Sequence, residues 1–370
     1  MSKKGRVLVA MSGGIDSTVT AMLLHEEGYE VVGITMKTWD YANSGGSKKE
    51  TGCCSLDSIN DAREVAVMMG FHHFIVDIRE EFGDYVIDNF VEEYIAGRTP
   101  NPCVLCNTHI KWSALLKRAD ALGCEFIATG HYADTISKNG TTYLTRAIDN
   151  TKDQTYFLHE VSSEEFSKTI FPLGNMKKDD VRKLAMSLGL VNAEKKDSVG
   201  ICFVGERNLK DFLGRFINFK SGIIKDNDNN VIGQHNGALL YTEGQRQGLK
   251  IGGVKGRPEL PWYVYKKDIP NNTIYVCQGV DNELLMSSRV TIDSLHKINK
   301  DELKLPFDCY VQVRHLQKPI AAQLNYDNSN YFINFKKPVR AAAPGQSAVI
   351  YKDNICIGGG IISKSFSSTK

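Results

Sequence analysis

In the first half of the chain, short apolar runs alternate with segments whose apolar residues recur every three or four positions. The runs are typical of buried strands, and the recurring pattern is typical of helices that bury one face. The predicted strands are 6–10, 30–36, 74–78 and 125–129. The predicted helices are 17–25, 56–69, 82–94 and 106–122. This alternation predicts an α/β fold with a doubly wound parallel sheet, in which ligands bind beyond the carboxyl ends of the strands.

The pattern changes twice further along the chain. Residues 162–190 stay helical, with a capping box at Ser162 and Glu165 and a second helix over 179–188. After about Gly205 the apolar runs become short and closely spaced, at 262–265, 273–276, 310–314, 321–326, 331–335 and 348–351. They predict one or two small β-barrels. The expected division is a catalytic α/β domain, a small central β-rich domain and a C-terminal β-barrel, at residues 1–205, 206–276 and 277–370.

Composition narrows the class of protein only a little. The 370 residues are 42% hydrophobic and 24% charged, as in ordinary globular proteins, and no apolar run approaches the ~20 residues that span a bilayer. Met1 is followed almost at once by the first strand, which leaves no room for a signal peptide, so we expect a cytoplasmic protein without membrane association. The net charge of +2 neither favours nor excludes nucleic acid. The nine cysteines, an odd number, argue against a disulfide framework.

A glycine-containing loop joins the first strand to the first helix, and its residues are Ala10, Met11, Ser12, Gly13, Gly14, Ile15, Asp16 and Ser17. The glycines allow successive N–H groups to point at one anion, and the helix adds its positive N-terminal end. Asp16 could cap the helix or hold Mg²⁺ near phosphates. The loop looks like that of the ATP-pyrophosphatase (PP-loop) superfamily, and it lacks the lysine of a Walker A loop. The alternative interpretation is an ordinary Gly-Ser capping turn.

Two of the cysteines have a context that suits chemistry. Cys106 follows the loop 97–103 (GRTPNPC) and is predicted to open a helix, where the helix dipole would stabilise its thiolate. Cys202 lies far along the chain in 197–205 (DSVGICFVG), and a cysteine flanked by apolar residues is more often part of a core. Spacing alone therefore leaves the role of Cys202 open.

Several motifs together resemble the tRNA-specific 2-thiouridylase (MnmA) family. They are GRTPNPxxxCN at 97–107, ATGHYAD at 128–134, KDQTYFL at 152–158, DSVGICFVG at 197–205 and GQRQGLKIGG at 244–253. The resemblance implies an N-terminal domain like the adenine nucleotide alpha hydrolases and a tRNA-uridine 2-sulfurtransferase that uses ATP and Mg²⁺. It implies two partners, a tRNA recognised by its anticodon stem-loop and a protein that donates persulfide sulfur, a desulfurase or a relay protein.

The resemblance also assigns roles to individual residues. ATP would be bound by the glycine loop residues 10–17 together with Met36 and Gly130. The target base would meet Asn101, Pro102 and Cys103. Other parts of the tRNA would meet His131, Lys152, Asp153, Gln154, Arg314, His315 and Gln346. Cys202 would carry sulfur as a persulfide, and Cys106 would be its catalytic partner.

The implied reaction begins with transfer of AMP from ATP to the C2 oxygen of the wobble uridine, with release of pyrophosphate. Sulfur from the Cys202 persulfide then attacks C2, and AMP leaves. Cys106 either attacks the inner sulfur and leaves a Cys106–Cys202 disulfide, or releases hydrosulfide first. Small barrels often bind oligonucleotides, so the C-terminal barrel is the expected clamp for the tRNA.

Position 103 departs from the family, because many members have aspartate where this chain has Cys103. One hypothesis is a [4Fe–4S] cluster on Cys103, Cys106 and Cys202 that carries hydrosulfide. The alternatives are a cysteine that lines the pocket and a redox-active Cys103–Cys106 pair.

Two other classes of function stay open on the sequence. One is a PP-loop enzyme that amidates or ligates a small metabolite, which would need neither candidate cysteine. The other is a non-catalytic tRNA-binding protein, which would need no intact glycine loop. His72 and His73 have no metal-ligand spacing with other residues and are interpreted as structural.

Overall fold

The computed structural model describes residues 4–39, 55–190, 192–195, 200–205, 208–254, 256–300 and 302–367. Met1, two of the nine cysteines (Cys53 and Cys54) and the residues 197–199 of the Cys202 motif lie outside the described residues. In the part of the chain that is described, no helix has the length and apolar character needed to cross a membrane.

The N-terminal part of the chain alternates strands and helices, as predicted. Its strands are β1 (Arg6–Ala10), β2 (Glu30–Lys37), β3 (His72–Asp77), β4 (Phe126–Ala128), β5 (Ala133–Lys138), β6 (Thr141–Arg146) and β7 (Thr169–Ile170). Its helices are α1 (Ile15–Glu26), α2 (Leu56–Met69), α3 (Arg79–Phe82), α4 (Asp88–Ile95), α5 (Pro102–Leu105), α6 (Ser113–Ala121), α7 (Ser163–Ser167) and α8 (Lys178–Ser187). π-Helical turns at Gly83–Ile87 and Cys106–Trp112 join α3 to α4 and α5 to α6.

The N-terminal sheet has five strands in the order β3-β2-β1-β4-β7, and every neighbouring pair is parallel. Val7, Leu8 and Val9 of the central strand are fully buried, because helices cover both faces of a sheet of this kind. The capping box at Ser162 and Glu165 is present at the start of α7. The predicted doubly wound parallel sheet is therefore confirmed.

One predicted helix begins a full turn earlier than expected. The helix predicted from Cys106 starts at Pro102, and the Cys106 N–H bonds to the Pro102 and Cys103 carbonyls inside it. Proline suits the first helical position because its φ is already helical and the N–H that it lacks is not needed there. The prediction that Cys106 opens the helix is thus wrong, and the dipole argument for its thiolate does not hold.

A small central domain follows helix α9 (Leu209–Leu213). Its strands are β8 (Gly222–Lys225), β9 (Val231–His235), β10 (Trp262–Asp268) and β11 (Thr273–Gln278). They form a four-stranded sheet in the order β10-β11-β8-β9. Its core includes the fully buried Ile224, Val264 and Ile274.

The C-terminal domain is a closed β-barrel, as predicted. Its strands are β12 (Met286–Ile292), β13 (His296–Lys297), β14 (Phe307–Gln312), β15 (Ile320–Tyr326), β16 (Tyr331–Arg340), β17 (Ser347–Lys352) and β18 (Ile355–Ser367). The antiparallel order β12-β16-β15-β14-β17-β18 closes because β12 pairs with both β16 and β18.

The hairpin of β5 and β6 was not predicted from the sequence, and it ties the first domain to the barrel. Asn139 and Gly140 form its turn, both with positive φ, which is the usual chemistry of a tight hairpin. Thr145 of β6 pairs with Ile355 of β18, so the barrel sheet continues into the first domain.

Candidate active site

The predicted anion-binding loop leaves β1 and enters α1. Gly13 has a φ of +69°, and a Cβ at this position would lie 2.0 Å from the Ser58 carbonyl oxygen in α2. Ser17 Oγ accepts a hydrogen bond from the Ser12 N–H at 3.1 Å and donates one to the Gly14 carbonyl at 3.1 Å. These bonds close a tight turn, and position 13 requires glycine both for its backbone conformation and for lack of space.

The other residues assigned to ATP lie around this loop. Met36 is near the carboxyl end of β2, and Gly130 follows β4. A Cβ on Gly130 would lie 2.8 Å from the Ser17 backbone nitrogen, so the two loops are in contact. Neighbouring parallel strands thus bring these residues to one edge of the sheet, which is the candidate nucleotide site.

The Asp16 carboxylate is paired with a lysine that sequence analysis missed. Lys178 Nζ, in the first turn of α8, lies 2.7 Å from both Asp16 oxygens, and the Tyr132 hydroxyl donates to Asp16 Oδ1 at 2.9 Å. The side chain of Lys178 is 8% exposed and that of Asp16 is 31% exposed. An ammonium group therefore occupies the place that a metal ion would take, and the assignment of Asp16 to Mg²⁺ does not fit this structure. The sequence carries no signal of this pair, because its members are distant in the chain.

The segment that leads toward Cys202 is anchored on the same glycine loop. Asn192 Nδ2 donates to the Gly13 carbonyl at 3.1 Å. Lys195 Nζ lies 3.4 Å from that carbonyl and 2.8 Å from Asp61 Oδ2. Neither residue was singled out from the sequence, since a polar residue in a loop has no local mark of its distant partner.

The two candidate cysteines converge on one apolar cluster. Cys106 and Cys202 are both half-buried and pack against the same core. Aromatic rings form much of this core, and the ring centroid of Phe203 lies 5.7 Å from that of Phe82 and 5.1 Å from that of Phe90. The fold therefore unites two thiol-bearing segments that are far apart in sequence.

Cys103, in the first turn of α5, is not favoured as a thiolate. Burial raises the pKa of its thiol, although the nearby Lys111 charge acts in the opposite direction. Within the described ranges, no three Cys, His, Asp or Glu side chains are grouped so that they could hold a metal ion. A [4Fe–4S] cluster on Cys103, Cys106 and Cys202 therefore does not fit this structure.

The side chain of Asn101 carries a buried amide donor. Its Nδ2 is buried and has no hydrogen-bond partner among the described residues. The residue lines a cavity of about 20 Å³ together with Pro100 and Glu160. A cavity of this size holds roughly one water molecule, so the donor is available to water or to a ligand.

Two of the residues assigned to tRNA are engaged within the first domain. Asp153 is 4% exposed and accepts from Arg146 Nε at 3.2 Å. The Gln154 side-chain oxygen accepts from the Tyr132 N–H at 2.9 Å. Lys152, beside them, is half-buried. This stretch holds the β5–β6 hairpin against the loop after β4.

The histidines assigned to tRNA are buried enough to be neutral. Burial lowers the pKa of His131 well below its usual value, and Nδ1 of this ring lies 2.9 Å from the Thr129 hydroxyl. Burial also lowers the pKa of His315, whose Nε2 lies 3.2 Å from the Asp153 carbonyl oxygen. Such histidines can recognise RNA by stacking or hydrogen bonding, but they add no charge.

The remaining residues assigned to tRNA, Arg314 and Gln346, connect domains. Arg314 donates to the Glu243 carbonyl of the central domain at 2.5 Å. Gln346 Nε2, in the barrel, donates to the Thr99 carbonyl of the first domain at 2.9 Å.

Comparison with protein families finds matches along nearly the whole chain. Models described as the tRNA methyl transferase HUP domain, the tRNA methyl transferase PRC-barrel domain and the aminomethyltransferase beta-barrel domain match residues 5–206, 210–278 and 287–362. The tRNA-specific 2-thiouridylase MnmA of Amoebophilus asiaticus is 50% identical over 98% of this chain and 96% of its own. The protein of the same name from Cytophaga hutchinsonii is 48% identical over 99% of each chain. A solved 4-thiouridine synthetase–RNA complex with ATP is far less similar, with 15% identity and a TM-score of 0.35 over 55% of this chain and 46% of its own.

Proposed function

Because this chain belongs to the tRNA-specific 2-thiouridylase (MnmA) family, we propose that it activates the wobble uridine of a tRNA with ATP and replaces its C2 oxygen by sulfur from a Cys202 persulfide. As a member of the family, the protein is a sulfurtransferase that modifies tRNA. The observation that carries the mechanism is that Cys106 and Cys202 pack against one cluster, while the segment leading to Cys202 is anchored on the glycine loop.

ATP would lie at the carboxyl edge of the parallel sheet, with its phosphates toward the glycine loop. The N–H groups of the loop and the N-terminus of α1 would face the phosphates. Lys178 places a positive charge beside this loop, which has no lysine of its own. These groups would stabilise the pyrophosphate that leaves when the C2 oxygen of uridine attacks the α-phosphorus. The product is a base whose C2 oxygen carries AMP.

Sulfur transfer then needs both cysteines. The terminal sulfur of the Cys202 persulfide attacks C2, and AMP departs with the former C2 oxygen. The Cys106 thiolate attacks the inner sulfur, so the S–S bond breaks, the base keeps the sulfur, and a Cys106–Cys202 disulfide forms. In the alternative order, Cys106 attacks the inner sulfur first, and the hydrosulfide that is released attacks C2.

Three partners follow from this chemistry: a reducing thiol, a protein that supplies sulfur, and the tRNA. The disulfide must be reduced by a thiol, and a persulfide-carrying protein must supply the next sulfur to Cys202. The tRNA must present an unstacked uridine to the segment Asn101, Pro102 and Cys103, and an anticodon loop is a single-stranded region where a base leaves its stack at low cost.

The division into 1–205, 206–276 and 277–370 is part of the proposal, with catalysis assigned to the first unit and tRNA binding chiefly to the last. The parallel sheet and the barrel strands lie within these ranges, whereas β11 of the four-stranded sheet extends past the boundary at 276 to Gln278. The hairpin β5–β6 crosses the division by pairing with β18.

The test is mass spectrometry of tRNA nucleosides after incubation with ATP, Mg²⁺ and a persulfide donor. The native protein should form 2-thiouridine, whereas Cys106→Ser and Cys202→Ser should form none. Cys124→Ser, at a buried cysteine that packs in a different core, is the matched control and should retain activity. Thiolated product from either of the first two variants, or full pyrophosphate release without tRNA, would contradict the proposal.

A further inference from the structure

The loop that leads to the target-base segment is held by all three domains. From the central domain, Lys267 Nζ of β10 donates to the Gly97 carbonyl at 2.6 Å. The Thr99 and Thr242 hydroxyls are 3.0 Å apart and share a hydrogen bond. The central domain thus contacts this loop at its first and third residues.

The barrel contacts the same loop through its backbone. The Thr99 N–H donates to the Pro344 carbonyl at 2.9 Å. Gln346 Nε2 donates to the Thr99 carbonyl at 2.9 Å and to the Pro100 carbonyl at 3.3 Å. Both backbone polar groups of Thr99 are therefore satisfied by the barrel segment before β17.

Two glycines make these contacts close. A Cβ on Gly97 would lie 2.6 Å from Ile269 Cγ1 in the central domain. A Cβ on Gly345 would lie 2.8 Å from both the Thr99 nitrogen and oxygen. Both glycines have positive φ, at +75° and +89°. The loop is therefore fitted against its neighbours without spare space.

The burial of the Lys267 ammonium group indicates that this residue does more than make a surface contact with the loop. Burial lowers its pKa to about 8, while the charge of Glu243 acts in the opposite direction. Burying an ammonium group costs free energy, and here it is directed at a neutral backbone carbonyl. A long cationic side chain in this place fixes the position of Gly97 from the central domain.

We propose that Lys267 and Gln346 are positioning residues that hold the loop 97–100, and thereby Asn101, Pro102 and Cys103, in the shape that accepts the target base. A tRNA that binds across the central domain and the barrel would stabilise this same arrangement. The inference rests on the proposed function, in which residues 101–103 meet the uridine. It assigns to the central domain a part in the reaction, through a residue that touches neither ATP nor the base.

The central test compares Lys267→Met with Lys266→Met, its exposed neighbour on the same strand. Lys267→Met should lower the single-turnover rate of thiolation by roughly tenfold to a hundredfold, because small errors in the placement of reacting groups have large effects on rate. The Kd values for tRNA and ATP should stay within about twofold of the native values, because Lys267 is proposed to touch neither ATP nor the base. Lys266→Met should behave as the native protein, and Lys267→Arg should restore much of the rate. A native rate in Lys267→Met, or a loss explained by weaker tRNA binding, would overturn the inference.

Gln346→Glu provides a second variant of nearly the same shape. A carboxylate cannot donate to the Thr99 and Pro100 carbonyls, so the rate should fall at nearly unchanged tRNA affinity. A change confined to tRNA affinity would mean that Gln346 acts on the tRNA and not on the loop, which would contradict its positioning role.

Amide hydrogen exchange tests the loop without any reaction. Exchange at Thr99 should become faster in Lys267→Met and Gln346→Glu and stay unchanged in Lys266→Met. Unchanged exchange in both variants would contradict the inference even if the native protein is active. If the native protein forms no 2-thiouridine but exchange at Thr99 is still faster in the two variants, the proposed function fails and the inferred contacts stand.

Discussion

At the scale of single residues, the partly buried pair of Lys178 and Asp16 dominates the electrostatics of the candidate nucleotide site. Two hydrogen bonds of 2.7 Å join the ammonium to the carboxylate, and the Lys178 ammonium also lies 5.8 Å from the centre of the Tyr132 ring. A partly buried pair of this kind is nearly neutral for stability when complete and costly when one partner is removed. Under the proposed function, its place beside the glycine loop would let Lys178 help to hold phosphate.

Replacing Lys178 by methionine should therefore destabilise the protein by about 3 kcal/mol, because the Asp16 charge loses its partner. ATP should bind about tenfold more weakly, which corresponds to a loss of roughly 1.4 kcal/mol. Urea denaturation and calorimetric titration with ATP measure the two effects. Lys177→Met, at the exposed neighbouring residue, is the control and should change neither.

The double variant Lys178→Met with Asp16→Asn separates stability from binding. It removes both charges, so stability should largely return while weak ATP binding persists. Recovery of ATP affinity together with stability would show that Lys178 serves the fold alone.

At the scale of elements, the candidate nucleotide site depends on the fit between the β1–α1 loop and the start of α2. The Gly13 backbone lies against Ser58, in the first turns of α2, with no room for a methyl group. Ser55 caps this helix by accepting a hydrogen bond from the Ser58 N–H at 3.2 Å. The loop and the helix must therefore shift together if either one changes.

Gly13→Ala should abolish ATP binding, because its Cβ would displace the loop from α2. Gly28→Ala is a matched control, since Gly28 also has positive φ but has nothing within 4 Å of an added Cβ. Backbone strain alone should lower the folding stability of each variant by about 1–2 kcal/mol. Because this cost is common to both variants, only Gly13→Ala should lose affinity for ATP in a titration. Equal affinities in the two variants would show that the contact with Ser58 is irrelevant.

The helices and strands also show which structural features a sequence pattern can predict. The parallel sheet, the capping box at Ser162 and the barrel were predicted, because hydrophobic period and capping chemistry are local properties. The helix start at Pro102 was missed, since proline at a first helical position and proline in a loop look alike in sequence. The β5–β6 hairpin was missed although Asn139 and Gly140 are a typical turn pair, because its strands are largely polar.

At the scale of the whole molecule, His159 lies at the seam between the first domain and the barrel. It is fully buried, and neither ring nitrogen has a hydrogen-bond partner among the described residues. A Cβ on Gly359 of β18 would lie 3.1 Å from His159 Nδ1. Burial lowers the pKa of His159 to about 3, and the charge of His296 acts in the same direction.

His159 should therefore make the molecule sensitive to acid. Below about pH 6.5 the unfolded chain binds a proton at this residue and the folded protein does not, so stability is lost as pH falls toward 3. The contribution is about 1.4 kcal/mol per pH unit within this window. His159→Leu should remove that slope from urea denaturation series between about pH 6 and pH 4. A slope in His159→Leu equal to that of the native protein would refute the assignment.

The sequence alone determined the class of fold and the glycine loop, because each is encoded in a few adjacent residues whose spacing dictates backbone geometry. The two cysteines were singled out by the resemblance to the 2-thiouridylase family and not by their spacing. Only the tertiary structure decided which groups surround them. It paired Asp16 with Lys178, brought Cys106 and Cys202 to one cluster, and placed Lys267 and Gln346 on the loop before residues 101–103. Such pairings depend on how distant elements pack, and a side chain carries no local mark of the partner that folding brings to it.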